Sequence, residues 1–403
     1  MNTSQSMTPV RRARAVLTVF LKEVRENLRD RRTLTSAFLT GPLLTPLMFV
    51  MLINFSINRE LDKAEQPLKV PVIGAQYAPN LVNALKEGGV VPQAPVADPE
   101  QAVRDQRIDL ALRIRPDYPE AWRKGEPVQV ELIYDSSQRD SHTPVDRVTD
   151  LIEHYSKMQG AMRLVARGLS PATATPVVVA KRDQATAQSR AVLLFNILPY
   201  LFVLTLFIGG MYLAIDLTAG ERERQSLEPL FANPVPRWKI FLGKLAAICA
   251  FSAASLVICL VGFSVVGRFV PTEKLGMELH MGPSFALHVL LLQAPMIVLL
   301  ASLQSLVAAF AKSYREAQTY VSLLMMLPIL PSVVLMVMPI KPQDWMYSVP
   351  LLGQHLGILD LVRGSGVSPL HLLLCLGGSA LAAVVAAGIT MQLYRSERLA
   401  ISG

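Results

Sequence analysis

The chain has 403 residues, 39 Lys and Arg against 31 Asp and Glu, and a formal net charge of +8. With 51% hydrophobic residues and a mean hydropathy of +0.36, it has too little polar surface to clothe a soluble globule. Its three cysteines, Cys249, Cys259 and Cys375, all fall in apolar runs, which excludes a disulfide framework and argues against a cysteine metal site.

The positive charge is concentrated at the start, where Arg11, Arg12, Arg14, Lys22, Arg25, Arg29, Arg31 and Arg32 precede the first apolar run. Attraction to anionic lipid headgroups accounts for these residues more simply than nucleic acid does. The positive-inside rule puts this tail, residues 1–34, on the cytoplasmic side. Leu17, Leu21, Val24 and Leu28, with Ala13, Val16 and Phe20 adjoining, form an apolar stripe opposite Arg14, Lys22, Arg25, Glu26 and Arg29. Such a helix is expected to lie in the membrane interface and contact lipid. A cleavable signal peptide is the competing reading, but a polar tail of this length before a full spanning run favours an uncleaved anchor.

The first run, Ser36 to Ile57, gives transmembrane helix one over 35–57. A polar stretch over 58–190 follows, then runs at about Ala191 to Ile215, Ile240 to Val266, Phe285 to Ala311, Thr319 to Met338 and Pro369 to Leu393. Each is long enough to cross a hydrocarbon core about 30 Å thick. With six crossings, the polar segment near 220, the KSYREAQ connection and the YRSER terminus are cytoplasmic, and residues 58–190 lie outside. The fold class predicted is an α-helical integral membrane protein with six transmembrane helices, plus an extracytoplasmic α/β domain inserted between helices one and two.

In that domain KVPVIGA at 69–75, DLALRIR at 109–115, VQVELIYD at 128–135 and PVVVAKR at 176–182 read as strands. Asp98, Pro99 and Gln101 read as an N-cap, an N1 proline and a capping-box partner. Val145, Val148, Leu151, Ile152, Tyr155, Met158, Met162 and Val165 recur at spacings of three and four and predict a longer helix. His142 and His154 have no companions at metal-ligand spacing, and no nucleophile stands beside a base in the sequence. A metal site is therefore not identified.

The interiors of the spans are almost free of ionisable residues, which argues against proton coupling through buried carboxylates or histidines. Asn54, Asn196, Thr205, Ser252, Ser255, Gln293, Ser302, Gln304 and Ser305 supply neutral polar groups that suit interhelical hydrogen bonds, or alkali-ion coordination. Gly378, Ala382 and Ala386 give the last span a small-residue packing face. No G-x-x-x-x-G-K-[ST] occurs, so this chain binds no nucleotide by a P-loop.

Between spans two and three, Glu221, Glu223 and Glu228 alternate with Arg222 and Arg224 along an expected short helix, ended by Asn233 and Pro234. A solvated charged loop is the plainer alternative. Near the end of the chain WMYSVPLLGQHLGILDLV, interrupted by Pro350 and Gly353, is expected to form a pair of short helices dipping in from outside, or an interfacial loop held by Trp345 and Tyr347.

Residues 221–244 resemble the first cytoplasmic loop of type-2 ABC exporter permeases, an E-x-E-x-x-[ST]-L-E-x-L core followed by a proline and a G-K. The matching positions are Glu221, Glu223, Ser226, Leu227, Glu228, Leu230, Pro234, Gly243 and Lys244. Gln225 stands where members often have Gly, and Ser226 where Thr is commoner. The resemblance implies a coupling helix within loop 216–240 that docks on an ABC ATPase subunit, where ATP and Mg are bound. It also implies a second permease subunit, identical or related, with no cofactor on this chain. The polar domain between spans one and two and the VPLLGQ at 349–354 are similar to the NatB-like branch, associated with ATP-driven sodium export, and make Pro350, Gly353 and Gln354 external gate candidates. The expected location is a bacterial inner membrane with both termini cytoplasmic. Export of a hydrophobic drug, lipid or peptide is the alternative, and a mechanotransmission or sensory membrane protein without solute flux is the alternative of another class.

Overall fold

The computed structural model describes residues 9–65, 67–137, 139–174, 195–226, 235–271, 281–338 and 341–395, with 186, 187, 192 and 229 as isolated positions. The chain forms two compact units, one of Met1–Asn58 with Gln184–Gly403 and one of Arg59–Asp183.

Among the described residues of the first unit, six helices are long and apolar enough to cross a membrane: Ala37–Asn58, Leu198–Glu223, Arg237–Phe269, Pro283–Phe310, Tyr314–Leu335 and Pro369–Tyr394. They are spans one to six below. In span two Pro199 sits in the first turn of the α-helix Leu198–Ile215, where a missing N–H costs nothing, and Ala191, where the run is expected to begin, lies outside the described residues. Span five is broken by its own prolines. An α-helix over Tyr314–Leu324 gives way to a 3-10 turn at Leu327–Ile329 and resumes at Leu330–Val337, because Pro328 and Pro331 remove backbone donors. Span two is the centre of the bundle, 72% buried in its most apolar window, against 17% and 22% for spans five and six. Spans two and three approach closely because a Cβ on Gly209 would stand 2.4 Å from the Ser255 hydroxyl and one on Gly210 2.4 Å from that of Ser252. At the other end of these helices Phe202 packs edge-on to Phe263 at 5.5 Å, and Phe263 against Phe49 at 5.7 Å.

The segment before the last span is the pair of short helices expected, a 3-10 turn at Asp344–Ser348 and an α-helix at Leu352–Val362. A Cβ on Gly353 would stand 2.1 Å from the Tyr347 carbonyl oxygen, and one on Gly378 1.9 Å from that of Ser348, so both glycines are required for the turn to seat against span six. Gln354 is fully buried. Its Oε1 accepts from the Leu351 N–H at 2.8 Å and its Nε2 donates to the Ser379 hydroxyl at 2.6 Å.

The second unit is a four-stranded sheet with helices. Its elements are β1 (Leu68–Ile73), α1 (Pro79–Glu87), β2 (Val90–Gln93), α2 (Pro99–Arg104), β3 (Leu110–Ile114), α3 (Tyr118–Lys124), β4 (Val130–Tyr134) and α4 (Arg139–Ala166). The sheet order is β2-β1-β3-β4, with β1 parallel to β2 and β3, and β3 antiparallel to β4. Parallel pairing demands helical crossovers, and α1 and α2 supply them. Asp98 caps α2 by accepting from the Gln101 N–H at 2.9 Å, but the Gln101 side chain turns to Asp105 instead of back to the cap. The α4 stripe enters the core through Val145, Val148 and Tyr155, while Met158, Met162 and Val165 at its end are exposed. Strand β2 is an addition to the sequence expectation, and PVVVAKR at 176–182 lies outside the described residues.

Candidate functional site

The motif residues gather where span two ends and span three begins. Span two passes from α-helix into a π-helical turn at Asp216–Gly220 before its last residues, Glu221–Glu223. It stops in a Schellman geometry: the Ser226 N–H bonds to the Glu221 carbonyl at 3.0 Å, and the Gln225 N–H to the Arg222 carbonyl at 3.1 Å. Gln225, the C′ residue of that motif, has φ of +55°. This is the left-handed conformation that glycine adopts without cost, which gives a physical reason for glycine at this position.

Glu221 and Glu223 therefore end span two instead of forming a separate short helix, which corrects the expectation that they line an independent helix. Glu221 is buried and forms an ion pair with Lys244, about two turns into span three. The Lys244 ammonium also donates to the Leu217 carbonyl at 2.9 Å. The Lys244 and Glu221 side chains are 2% and 8% exposed, so neither charge meets water and each depends on the other. Glu221 thus pairs with a lysine of this chain. Glu223 faces outward and accepts the Tyr314 backbone N–H at 2.6 Å, pinning the start of span five. Arg222 donates to the Ala311 carbonyl at 3.3 Å and Arg224 pairs with Asp216 at 2.9 Å. The Ser226 hydroxyl reinforces the turn by donating to the Glu221 carbonyl at 3.1 Å. Leu227, Glu228, Leu230 and Pro234 lie outside the described residues.

The N-terminal helix, Pro9–Asn27, joins this site. A Cβ on Gly243 would stand 2.6 Å from the Val19 Cβ and 3.0 Å from the Val16 carbonyl oxygen, so glycine is what lets the two helices cross. Phe20 and Val24 pack on the bundle core, whereas Leu17, Leu21 and Leu28 are exposed. The helix has two apolar sides, and the one against the bundle also carries Glu23, which is 1% exposed. Its Oε1 accepts from Lys22 at 3.2 Å while Oε2 has no partner among the described residues. Burial pushes the Glu23 carboxyl above the usual range, with Glu221 adding to the shift and Lys244 opposing it. Tyr394 of span six closes the site, buried with its ring 5.0 Å from that of Phe241. Sequence reading missed Glu23 and Tyr394. Glu23 is three residues after Phe20 and four after Val19, a position facing the bundle that the stripe alone reveals once the helix has a second apolar side.

The buried Glu221–Lys244 pair joins spans two and three, the N-terminal helix crosses span three at Gly243, and Tyr394 of span six packs on Phe241 beside them. Among the described residues no group of three or more His, Cys, Asp or Glu could hold a metal ion.

Comparison with known proteins places this architecture. The family described as ABC-2 family transporter protein matches residues 31–389. The ABC transporter permease protein NatB of Bacillus subtilis (strain 168) is 28% identical over 320 residues, covering 78% of this chain and 80% of that relative. No solved structure matches.

Proposed function

The chain belongs to the ABC-2 transporter family and is a permease subunit of an ABC transporter, and from that premise we propose that it exports sodium, driven by ATP hydrolysed on a separate ATPase subunit. The observation that carries the coupling part is the Glu221–Lys244 pair, which ties the end of span two to the start of span three with both charges buried. A loop anchored this way passes the movement of a docked ATPase into helices that cannot unfold in lipid. Glu223, Glu228, Leu227, Leu230 and Pro234 are the docking surface in this reading, while Glu221, Ser226, Gly243 and Lys244 brace it. Sodium rests on the NatB-like layout and on the likeness to NatB.

The permease works in a bacterial inner membrane with both termini cytoplasmic, the 59–183 unit outside, and a second permease chain beside it. ATP and Mg belong to the ATPase. The exposed Leu17, Leu21 and Leu28 of the N-terminal helix face the lipid interface. The turn holding Pro350, Gly353 and Gln354 closes the external end.

The test is ATP-dependent sodium uptake into inverted vesicles holding permease and ATPase, with an uncoupler present and Glu228→Lys alongside. Uptake that survives the uncoupler and is lost in the variant is the expected result. ATP hydrolysis without sodium accumulation in the wild type would overturn the sodium reading and turn attention to organic substrates or mechanical signalling.

A further inference from the structure

Gln293 and Gln304 of span four are fully buried. They are eleven residues apart, three helical turns to within about 20°, so they share one face roughly 16 Å apart along the axis. Gln304 Nε2 donates to the Phe207 carbonyl of span two at 2.8 Å. A carbonyl only accepts, which fixes the amide orientation and aims Oε1 elsewhere. That oxygen has no hydrogen-bond partner among the described residues. A Cβ on Gly210 would stand 3.1 Å from it and 2.4 Å from the Ser252 hydroxyl, so oxygens from spans three and four border the same space over a bare glycine of span two. At Gln293 neither amide atom has a partner among the described residues, nor does the Ser302 hydroxyl of the same helix.

Buried polar atoms left unpaired are costly, and three residues of one helix, two glutamines and a serine, carry such atoms at the centre of the bundle, a pattern that packing does not explain. Their chemistry is that of neutral oxygens without a neighbouring carboxylate. Such oxygens replace the hydration shell of a monovalent cation while holding it weakly enough to release it. We propose that Gln293 and Gln304 are successive stopping points for an alkali cation moving along the interior face of span four, with Ser252 completing the Gln304 site. This rests on the sodium reading.

The test is ATP-driven uptake of radiolabelled sodium by the complete permease–ATPase complex in inverted vesicles, for wild type, Gln304→Leu, Gln304→Asn and Gln293→Leu. Loss of one oxygen ligand is expected to raise half-saturating sodium about tenfold in each Leu variant and to change sodium-over-lithium preference. ATPase association stays intact, and Gln304→Asn, which keeps an amide, falls between. Gln293→Leu gives an independent readout if Gln304→Leu fails to assemble, because the Gln293 amide makes no hydrogen bond to the described residues. Sodium uptake with unchanged half-saturation and selectivity in the assembled Leu variants overturns the cation path alone and assigns the glutamines to water or packing. Absence of sodium uptake in the wild type overturns the sodium reading and the path with it.

Discussion

Replacing Lys244 by Met tests whether the ion pair holds the site together. Met keeps the length of the side chain but removes the ammonium, which in the native protein bonds to Glu221 and, at 2.9 Å, to the Leu217 carbonyl. The Glu221 carboxylate is then left without its counter-charge beside Glu23, itself 1% exposed. Breaking a buried pair from one side costs about 3–5 kcal/mol. Removing both members leaves no orphaned charge, so Glu221→Leu with Lys244→Met should recover most of the loss, to within about 1 kcal/mol of the wild type. Denaturant titration of the purified permease in mixed micelles, run as a double-mutant cycle, measures this. Additive effects of the two single substitutions, with no coupling energy, would refute the reasoning.

Glu23→Gln addresses the second buried carboxyl. A carboxyl raised in the folded state binds more protons than in the unfolded chain, so its contribution is present in acid and is lost as pH rises from the ordinary carboxylate range through the raised folded value. The amide should flatten that fall and stabilise the permease at neutral pH, read as the thermal midpoint across a pH series; an unchanged pH profile counts against it. Gln225→Gly should raise stability by about 1 kcal/mol by relieving the left-handed φ, and Gln225→Val should lower it, as followed by thermal aggregation. Gly243→Val should drive the N-terminal helix off span three and expose it to protease in inverted vesicles, and unchanged cleavage would show that the crossing tolerates a side chain.

The spans were legible because twenty apolar residues in succession have few other uses, and the positions of runs three, four and six follow from hydropathy alone. The break in span five was written in Pro328 and Pro331 but hidden by the unbroken apolarity around them. In the α/β unit the three named strands that fall in described residues appear as β1, β3 and β4, each rich in Val, Ile or Leu. Strand β2 escaped notice because it has only four residues, one of them Pro92, which suits the edge position it takes. At the site, the motif marked Glu221 and Lys244 separately. Their pairing depends on spans two and three being brought side by side, and a linear pattern does not show which charge will be buried. Alternation of Glu and Arg suggested a short helix after span two, whereas Glu221–Glu223 continue span two past the π-turn at Asp216–Gly220 with Glu221 buried.

The most direct measurement of the central claim is a crosslink from the loop to the ATPase. In a permease with Cys249, Cys259 and Cys375 replaced, a cysteine at position 228 carrying a short photoreactive group is irradiated in membranes containing the assembled complex. A crosslink to the ATPase subunit that is lost when Lys244 is replaced by Met is the expected result. Co-purification of the ATPase with no crosslink from position 228, or a crosslink to lipid alone, would contradict it.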